Sequence, residues 1–160
     1  MSLDQETSKA LFSALKSTGQ RLSVFQGVNT HEPWNSPGKG LYLSYILATL
    51  VPGGARSGLN STSGTITFTA RLWSHSVQLP ADETDPQLLA AAAALMAALS
   101  LDLDFGDFPQ LDGVVRNIDL MSMTGQTGWV PFQDASYRVF DVRVPVVIND
   151  MFQQSAGGGG

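Results

Sequence analysis

Apolar and polar positions alternate in ways that divide the chain into eight segments. Over residues 3–18, Leu3, Ala10, Leu11, Ala14 and Leu15 fall on one stripe at helical spacing, which predicts a helix packed along one face. Ser2 or Asp4 is placed to cap its start, and Gly19 offers a left-handed stop. Residues 22–28 predict a first strand, with Leu22, Val24 and Val28 on one side. A loop over 29–40 follows. Residues 41–51 predict a second strand that is apolar on both faces: Leu41, Leu43, Tyr45 and Leu47 on one, Tyr42, Ile46, Ala48 and Leu50 on the other. Such a strand is expected to be central and covered twice, by the chain's own helices or by a neighbouring subunit.

The third strand, 65–73, alternates most regularly. Ile66, Phe68, Ala70 and Leu72 point inward, and Thr65, Thr67, Thr69 and Arg71 outward. Asp85-Pro86 reads as an N-cap followed by proline in the first helical position, starting a second helix that runs to about Ser100. Residues 114–121 predict a fourth strand carrying Arg116. A glycine-rich loop, 124–128, leads to Trp129, and 137–148 predicts the last strand, with Phe140, Val142, Val144, Val146 and Ile148 inward. Pro145 in that strand implies an edge position or a bulge. The order α-β-β-β-α-β-β(-β) with short connections predicts an α+β domain: a mainly antiparallel mixed sheet of 5–6 strands with two helices packed on it. Residues 1–153 are expected to form one domain, with 154–160 a disordered glycine-rich tail.

Length and charge narrow the function. At 160 residues the chain has room for one domain with a sizeable core. Its net charge of −5 disfavours a nucleic-acid binder. The acids are not spread evenly: Asp82, Glu83, Asp85, Asp102, Asp104, Asp107 and Asp112 share a segment without Lys or Arg, which leaves the remainder slightly basic. A chain with one acidic end suits stacking between unlike partners, or simple solubility. The absence of cysteine removes disulfides, thiolate metal sites and thiol chemistry. The longest apolar run, 88–99, has 12 residues, short of the ~20 a membrane span needs. The first residues lack the basic start and apolar core of a secretion signal.

The loop VNTHEPWNSPGKGL looks most like chemistry, and it departs from each chemical template at identifiable residues. A Walker phosphate loop built on Gly38-Lys39 would need glycine where Pro33 stands and Ser or Thr where Gly40 stands. The dinucleotide pattern lacks its third glycine. His31 and His75 lie in separate loops, so a metal-dependent hydrolase using His31, Glu32 and His75 would require those loops to meet. No G-x-S-x-G elbow occurs. Asp102 and Asp104 could form an acid–base pair, but clustered acids more often make a solvated or docking surface. Trp34, Trp73 and Trp129 are candidate core or interface anchors. Arg116 is expected to pair with an acid across a sheet or subunit boundary.

The segments also carry a resemblance. VNTHEPWNSPGKGL, SGLNSTSGTITFTARLW, DETDPQLLAAAAALMAALS, VVRNIDLMSMTG and YRVFDVRVPVVINDMF resemble, in order over residues 27–152, motifs of the tail terminator proteins of long-tailed, non-contractile phages of actinobacteria. The loop WSHSVQLPADETDP departs from that pattern. The resemblance implies a structural virion protein similar in kind to the lambda tail terminator. Such a protein forms a ring, typically a hexamer, at the head-proximal end of the tail. It caps the tail tube, stops polymerisation of the major tail protein and meets the head–tail connector, with DNA passing through the lumen. It implies no enzyme activity, cofactor, membrane contact or sequence-specific DNA binding. A stopper, adaptor or minor tail protein is the alternative within the same class. The interface candidates are His31, Glu32, Trp34, Lys39, Arg56, Asp102, Asp104, Asp107, Arg116 and Trp129.

Overall fold

The computed structural model describes residues 3–33, 35–53, 63–75, 81–101, 107–132 and 135–149. Helix α1 spans Gln5–Arg21. Asp4 is its cap, accepting the Thr7 N–H at 2.8 Å on Oδ1 and so satisfying one of the first-turn donors. Of the predicted stripe, Ala10, Leu11, Ala14 and Leu15 are buried and Leu3, before the helix, is partly buried; the buried face continues through Thr18 and Gly19. Gly19 is therefore not the stop. The helix ends two residues later, where Leu22 and Ser23 donate back to the Gly19 and Gln20 carbonyls and Ser23 turns to a φ of 58°. Gly19 instead marks the closest approach of α1 to the sheet, since a Cβ there would stand 2.7 Å from Leu43 Cδ2.

Six strands form one sheet: β1 (Gly27–Asn29), β2 (Leu41–Pro52), β3 (Gly64–His75), β4 (Val115–Ile118), β5 (Thr124–Pro131) and β6 (Ser136–Ile148). Their order is β1-β2-β3-β6, with β4 and β5 sharing the far side of β6. The α+β class is as the sequence predicts. The first strand is shorter than expected: residues 22–26 follow the helix as a turn and irregular chain, and only Gly27–Asn29 pair with β2. It pairs parallel to β2, which the long connection through 30–40 permits.

The second strand is not central along its length. β1 covers Tyr42–Ser44, and residues 47–52 are exposed. A bulge accounts for one member of its second apolar face, while Tyr42 on that face packs on the cluster of Trp73 and Tyr137. The register with β3 shifts between Leu47 and Thr49, so Leu50 pairs with Ile66 and returns to the same face as Leu43, Tyr45 and Leu47. The central strands are β3 and β6.

Pro145 is neither at an edge nor in a bulge. It pairs with Thr67 across the sheet, and its carbonyl accepts the Asp119 N–H at 2.9 Å. On an antiparallel strand a residue's nitrogen and carbonyl share a side. The ring nitrogen thus faces the break between β4 and β5, where no ladder donor is required.

Helix α2 (Ala81–Leu101) begins four residues before the predicted cap and carries Pro86 inside it. Asp85 lies inside the helix rather than at its cap, and its carboxylate is held by Arg138. The fourth strand stops at Ile118, and a one-turn 3-10 segment, Leu120–Ser122, follows. The expected glycine-rich loop at 124–128 is strand β5. Gly125 makes room for a side chain of the partner strand: a Cβ there would overlap the Phe140 ring.

Both helices pack on one face of the sheet. Leu11, Leu15, Leu88 and Leu95 meet Leu43, Tyr45, Phe68, Ala70, Leu72, Val142 and Val144 in the main core. The other face holds a smaller cluster of Trp73, Tyr137 and Val139, bordered by Tyr42, Val130 and Phe132.

Candidate functional site

Ser36 and Gly38, in the loop before β2, are fastened to the face opposite the helices. Tyr137 does this: its hydroxyl accepts the Gly38 N–H at 2.8 Å, reaches the Gly38 carbonyl at 3.2 Å and bonds the Ser36 hydroxyl. Gly38 and Gly40 have φ of 97° and 109°, backbone conformations that side chains disfavour. These glycines thus shape a fixed turn. Beneath the loop, the Tyr137 ring stands edge-on to Trp73 and His75, with centroids 6.0 and 5.1 Å away. Trp73 Nε1 donates to the buried Ser44 hydroxyl at 3.2 Å.

One step along the same face, Arg71 donates from Nε and Nη2 to the two carboxylate oxygens of Asp141 at 2.7 and 2.9 Å. Its guanidinium lies 5.3 Å from the Trp73 ring centroid. Hydrogen bonding to Asp141 raises the arginine pKa against the opposing effect of burial, and the charges of Asp141 and Glu32 add to the rise.

A second cationic station lies on the helix side. Arg138 donates to Asp85 from Nε and Nη2 at 2.9 and 3.2 Å, and sits 5.1 Å from the ring centroid of Trp129. The hydrogen bond from Arg138 holds the Asp85 carboxyl below its ordinary range. Trp129 is 60% exposed, so this β5 aromatic faces solvent with a cation behind it.

The described sequence candidates lie on different elements. His31, Glu32 and Lys39 are exposed on the clipped loop, and His31 Nδ1 lies 3.0 Å from the Glu32 carbonyl. Arg116 is exposed on β4. Among the described residues its partner is an amide: it donates to Asn149 Oδ1 at 2.7 Å. Asn149 is fixed in turn by the Val114 and Gly113 carbonyls, at 2.8 and 3.2 Å. Asp107 is exposed. Trp34, Arg56, Asp102 and Asp104 lie outside the described residues, as does the 154–160 tail. Among the described residues no three His, Asp or Glu side chains are placed to hold a metal ion.

Sequence reasoning missed Tyr137, the Arg71–Asp141 pair and the Arg138–Asp85 pair. Each joins residues 53 or more positions apart. The outward position of Arg71 was the one available signal.

The remaining surface feature is apolar and lies at the sheet edges. Leu47, Leu50 and Val51 are exposed on β2. Leu47 and Leu50 form one wall of a groove of about 190 Å³, with Leu3, Leu11, Phe12 and Phe68 among the others. At the opposite edge, Leu120 and Met121 are exposed on the 3-10 turn, Met121 at 95%. No model of a known protein family matches the sequence, and no curated protein matches it either.

Proposed function

We propose that this chain is a ring-forming phage tail terminator, which caps the tail tube, ends polymerisation of the major tail protein and joins the tail to the head connector. The observation that carries the reading is the ordered run of motifs from VNTHEPWNSPGKGL to YRVFDVRVPVVINDMF. Two features of the fold support it. The first motif is a loop held rigidly against the sheet by Tyr137, as suits a contact surface better than a ligand-binding flap. Among the exposed large apolar side chains, Leu47, Leu50 and Val51 lie at one sheet edge and Leu120 and Met121 at the other, where subunits of an assembly would meet.

Electron microscopy of the purified protein, alone and with tail tubes assembled from the major tail protein, tests the proposal. Closed rings, and density at tube ends that stops their growth, are expected. A protein that leaves tube length and tube ends unchanged would count decisively against it.

A further inference from the structure

We infer that the free edge of β2 and its apolar groove receive the Leu120–Met121 turn of a second copy of this chain, so that copies add head to tail. This deepens the assembly reading above by naming the subunit contact, and it rests on that reading.

The argument starts from strand pairing. On its outer side β2 pairs with β1 through Tyr42–Ser44, and among the described residues no strand pairs with it there from Tyr45 onward. Such an edge invites pairing with another chain, most of all where its side chains are apolar. Here Leu47, Leu50 and Val51 are each more than half exposed.

The far edge carries a matching feature at the same height. Asp119 is bonded to Pro145; Pro145 lies opposite Thr67, and Thr67 lies opposite Thr49, between Leu47 and Leu50. The exposed turn Leu120–Ser122 therefore stands level with the exposed stretch of β2, across the full width of the sheet.

Strand direction agrees. β2 and β6 are both antiparallel to β3, while β4 and β5 are antiparallel to β6. A copy displaced sideways in the plane of the sheet would bring β4 and the turn antiparallel to β2. Met121 would then lie at the mouth of the groove, whose walls include Phe12 and Phe68. A long, unbranched thioether suits an irregular apolar recess with aromatic walls. Because the two patches differ and lie on opposite edges, the contact is heterologous. It leaves one donor and one acceptor edge free at each addition, until the copies close on themselves.

The chain contains no cysteine, which makes a direct test available. Leu50→Cys and Met121→Cys variants, both at exposed positions, are treated with a short bis-maleimide, separately and mixed. The expected result is a cross-linked dimer in the mixture and little in either variant alone. A chain carrying both substitutions should give a ladder. Self-cross-linking of Leu50→Cys alone, which would mean a two-fold β2–β2 contact, overturns the inference. So does failure of the mixture to cross-link when light scattering shows oligomers, or a protein that is monomeric throughout. Met121→Glu should shift oligomers to monomers with an unchanged circular dichroism spectrum; oligomers that persist at wild-type strength count against the contact. Oligomers that cross-link as expected yet ignore tube ends would remove the terminator reading and leave the contact standing. Oligomers that cap tubes without the cross-link would do the reverse.

Discussion

The hydroxyl of Tyr137 holds the backbone of Gly38 from both sides, accepting its N–H at 2.8 Å and meeting its carbonyl at 3.2 Å, across 99 positions of sequence. One phenol thereby fixes Ser36 and Gly38 to the sheet. Tyr137→Phe keeps the ring that packs on Trp73 and removes the fastening. A lost hydrogen-bond set that leaves backbone groups without a partner costs on the order of 1–3 kcal/mol. Thermal or urea unfolding should show that loss. Amide exchange should quicken at Gly38 and its neighbours while the β3–β6 ladder stays protected. Unchanged exchange at Gly38 would mean the hydroxyl does not hold the loop.

Tyr45 is the opposite case. It is fully buried beneath α1, and among the described residues its hydroxyl has no hydrogen-bond partner. Burial pushes the phenol pKa far up, so the group stays neutral at ordinary pH. Tyr45→Phe removes a desolvated polar atom without breaking a bond. Stability should change by less than ~1 kcal/mol or rise. A larger loss, measured beside Tyr137→Phe under the same conditions, would contradict this account.

The difference between these two tyrosines shows what the sequence could and could not convey. Local periodicity places Tyr45 and Phe68 on buried positions, because side-chain direction along a strand depends on the strand alone. Partner identity depends on register. His75 opposite Tyr137, or Arg71 opposite Asp141, follows from how β3 and β6 align, and their composition does not specify that alignment. The bulge at Ala48 is a related case: one extra residue moves Leu50 to the other face, and nothing local to β2 announces it. Glycines misled for a complementary reason. Gly19, Gly125 and Gly128 read as punctuation, whereas Gly19 and Gly125 are set by what packs against them, Leu43 and Phe140. The candidate surfaces were legible as exposed loop residues such as His31 and Lys39. The apolar edges were not, since exposure of Leu47 or Met121 is a property of the assembled sheet.

Two carboxylates should shape the acid limb of stability. Asp4 has its pKa lowered from the ordinary 3.8 chiefly by the Thr7 backbone N–H, and Asp85 has its lowered chiefly by the hydrogen bond from Arg138. A depressed folded-state pKa contributes stability above the unfolded value and loses it as pH falls through the folded one. The wild type should therefore lose stability on acidification below pH 3.8. Asp4→Asn keeps a capping oxygen and removes the titration. Its melting temperature should be lower than wild type at neutral pH and converge with it in acid. Asp85→Asn should follow the same course with a small effect, since an ion pair this exposed contributes about 0–1 kcal/mol before screening by salt. Melting curves over a pH series check both. A gap that widens on acidification has the wrong sign for this mechanism.

Gly19→Ala sets helix propensity against packing. In a helix interior alanine is favoured over glycine by about 1 kcal/mol, so propensity alone predicts a gain. At Gly19 the new methyl would stand 2.7 Å from Leu43 Cδ2 and 3.4 Å from both the Tyr45 hydroxyl and Val28 Cγ1. Leu43 and Tyr45 are completely buried, so Leu43 Cδ2 can yield only by disturbing the core or lifting α1 from β2. Overpacking of this kind costs about 1–3 kcal/mol, which equals or exceeds the propensity gain. The variant should melt below wild type. Ser13→Ala, at an exposed position of the same helix, should melt slightly above it, since there propensity acts alone. If Gly19→Ala instead gains as much as Ser13→Ala, then α1 does not rest on Leu43 as closely as the structure has it.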